Sequence, residues 1–167
     1  MPRTDLSPGY ERLRAGRYSE AGRAYLLTTV THRRAPLFAE WTNGHVMSRL
    51  LSDSVTWRGA TLLAWVLMPD HWHGLVVLDE PIPLSTLMKR AKGTSAHSFN
   101  RHTGRQGLVW RDGFHDRAIR RDEDLRAVAR YVIANPIRAG LVESVAHYPF
   151  WDAAWLGQDQ TCVWDGL

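Results

Sequence analysis

The tightest constraint in the chain is LAWVLMPDHWHGLVVL, residues 63–78. Two apolar runs flank Pro69 and Asp70, so residues 61–68 and 72–78 read as two strands joined by a tight turn at Met68-Pro69-Asp70. His71 and His73 stand where the second run opens. Side chains two apart on a strand share a face, so both imidazoles point one way while Trp72 turns into packing on the other. A buried ring nitrogen without a partner costs free energy. The pair therefore needs either hydrogen bonds at the edge of a core or an ion held between its nitrogens. A metal would demand at least a third ligand.

The remaining elements follow from periodicity. AYLLTTVTH, residues 24–32, is rich in β-branched residues and reads as a strand. Residues 36–59 read as a helix, with Val46, Leu50 and Leu51 at helical spacing and Gly59 near its stop. A second helix is expected over 84–104 with Ser85 as N-cap, and a weaker strand or hairpin over 109–120. DEDLRAVARYVIANP forms a third helix with acids in its first turn, as the helix dipole prefers. The order β-α-β-β-α-β-α implies an α+β protein: a ferredoxin-like antiparallel sheet with helices packed on it.

At 167 residues the chain suits a single domain, 1–167, with a basic N-terminal extension (1–22) and an acidic, tryptophan-bearing tail (148–167). Its only cysteine, Cys162, excludes a disulfide framework and a multi-cysteine zinc site, and favours the cytoplasm. No apolar stretch reaches the ~18 residues of a membrane span, and no apolar h-region follows the basic N-terminus. Net charge is +4 and strongly uneven: residues 89–121 hold nine Lys or Arg against two Asp, while 143–167 hold four acids and no Lys or Arg. A basic middle suits an anionic partner such as nucleic acid, although a solvated helix face would look the same.

The third helix can supply what the histidines lack. Leu125, Val128 and Val132 form an apolar stripe that should face the sheet. Tyr131 and Asn135, four apart, stack at its border and would overhang the His71/His73 face. Each also has a plainer reading: the tyrosine as a packed border residue, and the asparagine as an N-cap for a turn through Pro136 and Arg138, closed by Gly140.

MPDHWHGLVVL, LSTLMKRAKGTSAHSFNR and RYVIANPIRAGLVES, in this order and over residues 20–145, closely resemble the REP-associated tyrosine transposases, relatives of the single-tyrosine transposases whose hallmark is histidine–hydrophobe–histidine. The resemblance implies the HUH nuclease fold, His71 and His73 on the central strand, and Tyr131 as nucleophile on a helix above. It implies a divalent ion, Mg²⁺ or Mn²⁺, bound by His71, His73 and Asn135, where many mobile relatives carry glutamine at the third position. The implied substrate is single-stranded DNA folded into a REP-type palindromic hairpin, cut through a 5′-phosphotyrosine.

The basic segment then acquires a role. Lys89, Arg90, Lys92, Arg101, Arg111 and Arg138 are expected at the DNA, with Trp110 or Phe114 stacking on an unpaired base. For Trp110 a place in the core is an equal reading. The acidic tail is expected to fold over the site when DNA is absent. A monomer is expected, with a dimer as the alternative. Two rivals remain: a hairpin-binding protein that no longer cuts, and a hydrolase in which metal-bound water attacks, with Asp70 or Asp116 as helper.

Overall fold

The computed structural model describes residues 19–155. The N-terminal extension up to residue 18 and the tail from 156 lie outside the described residues. Of the tail expected to cover the site, only 148–155 is described, and it adds a strand to one edge of the sheet. The elements run β1 (Ala24–Val30), α1 (Trp41–Ser52), β2 (Ala60–Met68), β3 (His71–Leu78), α2 (Leu84–Thr103), β4 (His115–Ala118), α3 (Leu125–Ile133), the short α4 (Asn135–Arg138) and β5 (Trp151–Ala153).

The five strands form one antiparallel sheet in the order β4-β1-β3-β2-β5. Its first four strands have the ferredoxin-like order, and β5 extends the β2 edge. That last strand, in the tail, has no counterpart in the sequence reading. Three residues long, it is too short for alternation to register.

Strand alternation sorts the core into two layers. Tyr25, Leu27, Trp65, Leu67, Trp72 and Val76 face α1 and α2, where Met47, Leu51, Leu87, Met88 and Phe99 complete one cluster. Leu75, Ala64 and Ala24 face the other way with Val128 and Ala129 of α3, and Val66 and Met68 take Val132. The stripe expected to face the sheet does so, with Ile133 fully buried beside it. Trp72 stacks on Trp57 at 5.2 Å between ring centroids, and the Trp57 indole N–H donates to Leu51 O at 2.6 Å.

Several helix ends differ from expectation. The first helix stops at Ser52, and Asp53, accepting from Val55 N–H, starts a separate 3-10 turn. Pro83, not Ser85, is the N-cap of α2, since proline pre-sets the backbone at a helix start. The acids before α3 lie outside it, and Asp124 caps it by accepting from Arg126 N–H at 2.8 Å. The N-cap of α4 is Ala134, so Asn135 does not cap.

Candidate active site

His71 and His73 enter β3 on the face covered by α3. Register proves the side: His73 pairs with Thr28 and Val66, and paired residues share a face. Their rings meet edge to face, 4.8 Å between centroids. Each ring spends its Nδ1 on the protein. His71 Nδ1 lies 2.5 Å from Asp70 Oδ1, and His73 Nδ1 lies 2.7 Å from Thr28 Oγ1. A carboxylate only accepts, so His71 donates from Nδ1 and its Nε2 carries the lone pair. The Thr28 hydroxyl can accept in the same way, which leaves the His73 Nε2 lone pair without a partner in the fold. Orientation of a ligating imidazole through its other nitrogen is the usual support of a metal site.

Electrostatics favour a neutral His73. Burial, followed by the charges of His71 and Arg138, lowers the His73 pKa to about 4. Burial pushes the Asp70 carboxyl up, but its hydrogen bond to His71, the His71 charge and the Arg34 guanidinium outweigh it and hold the group below its ordinary value. Among the described residues no group of three His, Cys, Asp or Glu side chains is placed to hold a metal. Among the described residues, a third ligand would be of another type, such as the Asn135 amide.

Tyr131 rides on α3 with 60% of its surface exposed. The Arg138 guanidinium carbon lies 3.9 Å from the centroid of its ring, and Arg138 Nη2 donates to Tyr131 O at 2.8 Å. Because the Arg138 charge also bears on His73, the phenol, the guanidinium and the imidazoles belong to one neighbourhood. Asn135 is half-buried at the break between α3 and α4. Its Nδ2 donates to Val132 O at 2.7 Å, leaving Oδ1 as its acceptor.

The expected DNA contacts on α2, and Trp110, lie elsewhere. Trp110 is corrected: only 5% exposed, it packs against Phe38 and its indole N–H donates to Ser95 Oγ at 3.0 Å, so it offers no face to a base. Phe114 is half-buried against the same cluster. Arg90 and Lys92 are engaged within the fold, Arg90 on the carbonyls of Thr56 and Arg58, and Lys92 Nζ on those of Arg111 and Gly113 at 2.6 Å each. Lys89, Arg101 and Arg111 are exposed. Helix α2, which carries Lys89 and Arg101, covers the face opposite the histidines. Asp116 pairs with Leu27 and so points to that opposite face as well. Sequence reasoning missed His115, which pairs with Thr28 and lands two strands from His73 on the same face. Only sheet register reveals it.

Comparison with known proteins decides the family. The model of the IS200-like transposases matches residues 22–135, from β1 through Asn135. The chain belongs to that family. It is similar to the REP-associated tyrosine transposase of Escherichia coli K12, at 25% identity over 80% of this chain and 77% of that one. Among solved structures it is similar to a REP-associated tyrosine transposase bound to a REP hairpin, with a TM-score of 0.64 and 26% identity over 81% of this chain and 79% of the other. The chain has the α+β HUH fold. Among the described residues, no helix of this transposase is long and apolar enough to cross a membrane.

Proposed function

We propose that this transposase nicks and rejoins single-stranded DNA at REP-type palindromic hairpins, with Tyr131 as nucleophile. The observation that carries the reading is the pair of imidazoles with both Nδ1 atoms tied and both Nε2 atoms left for a ligand, under the helix that bears an exposed phenol. The residues fit a divalent ion. His71 and His73 would hold it through Nε2, and the Asn135 Oδ1 would complete a donor set without charge, a composition suited to Mg²⁺ or Mn²⁺ beside phosphate rather than to a closed structural zinc site. When bound, such an ion polarises the phosphoryl oxygens of the scissile group.

The chain's own residues do the rest. The Tyr131 oxygen gives up its proton and attacks phosphorus, the bond to the 3′-oxygen breaks, and the departing 3′-oxygen takes up a proton to become a 3′-hydroxyl. The product is a 5′-phosphotyrosine, which another 3′-hydroxyl can reverse without ATP. The Arg138 guanidinium, 3.9 Å from the centroid of the Tyr131 ring, sets a cation beside the attacking group, where phosphate charge would gather. Arg138 is also the expected DNA contact that the fold brings to the site. Lys89 and Arg101 would touch the hairpin only where it reaches beyond the histidine face, whereas Arg111 bonds through its N–H to Val30, the β1 partner of His71.

The test is covalent capture. Labelled hairpin single strand is incubated with the protein and Mg²⁺ or Mn²⁺, denatured, and scored for protein joined to DNA. Tyr131→Phe is expected to abolish adduct and cutting together. Cutting without an adduct would establish hydrolysis by water instead, and binding alone would establish a non-cleaving hairpin protein.

A further inference from the structure

The turn between β1 and α1 holds a backbone its residues do not favour. Arg33 (φ 56) and Arg34 (φ 53) are the non-glycine residues with positive φ among the described residues. Left-handed backbone is costly for a residue with a side chain, and it persists only where the surroundings impose it. Here they do. Thr31, fully buried, donates its N–H to Asp70 O at 2.8 Å and its hydroxyl to Ala35 O at 2.7 Å and Asp70 O at 3.0 Å. Arg34 N–H donates to Thr31 O at 3.1 Å, and Phe38 N–H to Pro69 O at 2.9 Å. Both ends of the turn are stitched to the Pro69–Asp70 corner that precedes His71.

What the strained turn delivers is one contact: Arg34 Nη1 at 3.1 Å from Asp70 Oδ2. The other oxygen of the same carboxylate holds His71 Nδ1 at 2.5 Å. Stability does not account for this arrangement. The Arg34 side chain is 66% exposed, and an ion pair so open to solvent adds little to folding. A geometric purpose does account for it. A carboxylate bonded through one oxygen can turn about its own axis, and a guanidinium on the second oxygen removes that freedom.

We propose that Arg34 is a positioning residue for His71, acting through Asp70 to fix the imidazole plane and keep its Nε2 directed at the metal. This rests on the metal reading given above. Loss of a direct second partner of a ligating histidine costs about 10–100-fold in metal affinity. Arg34 acts one bond further out, so its loss should weaken Mn²⁺ binding by less than that range, about three- to tenfold.

The experiment titrates the full chain with Mn²⁺, reading free ion by electron paramagnetic resonance, for the native protein, His71→Ala, Arg34→Gly and Arg34→Lys, with thermal unfolding of each alongside. Glycine relieves the positive φ, so Arg34→Gly should melt at the native temperature or above while binding Mn²⁺ more weakly. Arg34→Lys, which restores a cation near Asp70, should recover most of the loss. Native affinity in Arg34→Gly, or a loss that only accompanies a lower melting temperature, overturns the positioning role. If His71→Ala binds Mn²⁺ as the native chain does, or if neither binds it, the histidine site itself is wrong and the positioning role falls with it. If His71→Ala loses the ion and Arg34→Gly keeps it, the site stands and only the role of Arg34 is refuted.

Discussion

Substituting Gly74 by alanine tests how β3 presents the histidines. An added Cβ would lie 2.0 Å from Cη2, 2.4 Å from Cζ2 and 2.8 Å from Cζ3 of Trp72. These are atoms of a rigid ring rather than the end of a flexible chain. The indole cannot step aside, because it is 1% exposed and stacked on Trp57, itself anchored to Leu51 O. Overpacking of a filled core usually costs about 1–3 kcal/mol, and contacts this short put Gly74→Ala at the upper end, about 3 kcal/mol. Urea unfolding would read the loss. The clashing atoms all belong to the distal part of the indole, so Trp72→Phe should make room for the methyl. The penalty of Gly74→Ala should then shrink by about 1–2 kcal/mol in the Trp72→Phe background, a coupling of the size direct contacts give. Equal penalties in both backgrounds would refute the reasoning, as would a single variant within about 0.5 kcal/mol of native.

Two further outcomes are expected. Unfolded His73 takes a proton near pH 6.5 but the folded residue holds off until about 4, so its contribution to stability is complete above the unfolded value and is lost as pH falls through that window, by ~3 kcal/mol in all; the slope of unfolding free energy against pH should flatten in His73→Gln, and parallel curves would remove the assignment. Trp110→Phe forfeits the bond to Ser95 and should cost about 1–2 kcal/mol in unfolding while leaving hairpin affinity unchanged; an affinity loss at native stability would return Trp110 to the DNA.

The alternation around Pro69–Asp70 was enough to place His71 and His73 on one face and Trp72 on the other, because period two leaves a strand no choice. The stripe of Leu125, Val128 and Val132 likewise announced how α3 packs, and hence that Tyr131 sits at its border. Partners across the sheet were not legible. Thr28 under His73, and His115 beyond it, depend on register between strands distant in sequence. Nor could charge say which basic residues are free: Lys92 and Arg90 carry the same charge whether they meet phosphate or a carbonyl of their own chain. The caps failed for a local reason. Ser85 and Asn135 have suitable side chains, but Pro83 and the uninterrupted run from Ala134 start their helices elsewhere. The left-handed pair Arg33–Arg34 left no trace in composition, since neither glycine nor asparagine marks it.

The order of the sheet gives the two halves of the site unequal permanence. Strand β3 lies between β1 and β2, bonded along both edges, so amide exchange there waits on opening of the whole sheet. Tyr131 belongs to a nine-residue helix laid on the outside of that sheet. The phenol is thus carried by a single helix on the surface of the sheet, and the imidazoles by its interior. In the reaction proposed above, the DNA end would hang from the side chain of that outer helix, while the imidazoles stay fixed in the middle of the sheet.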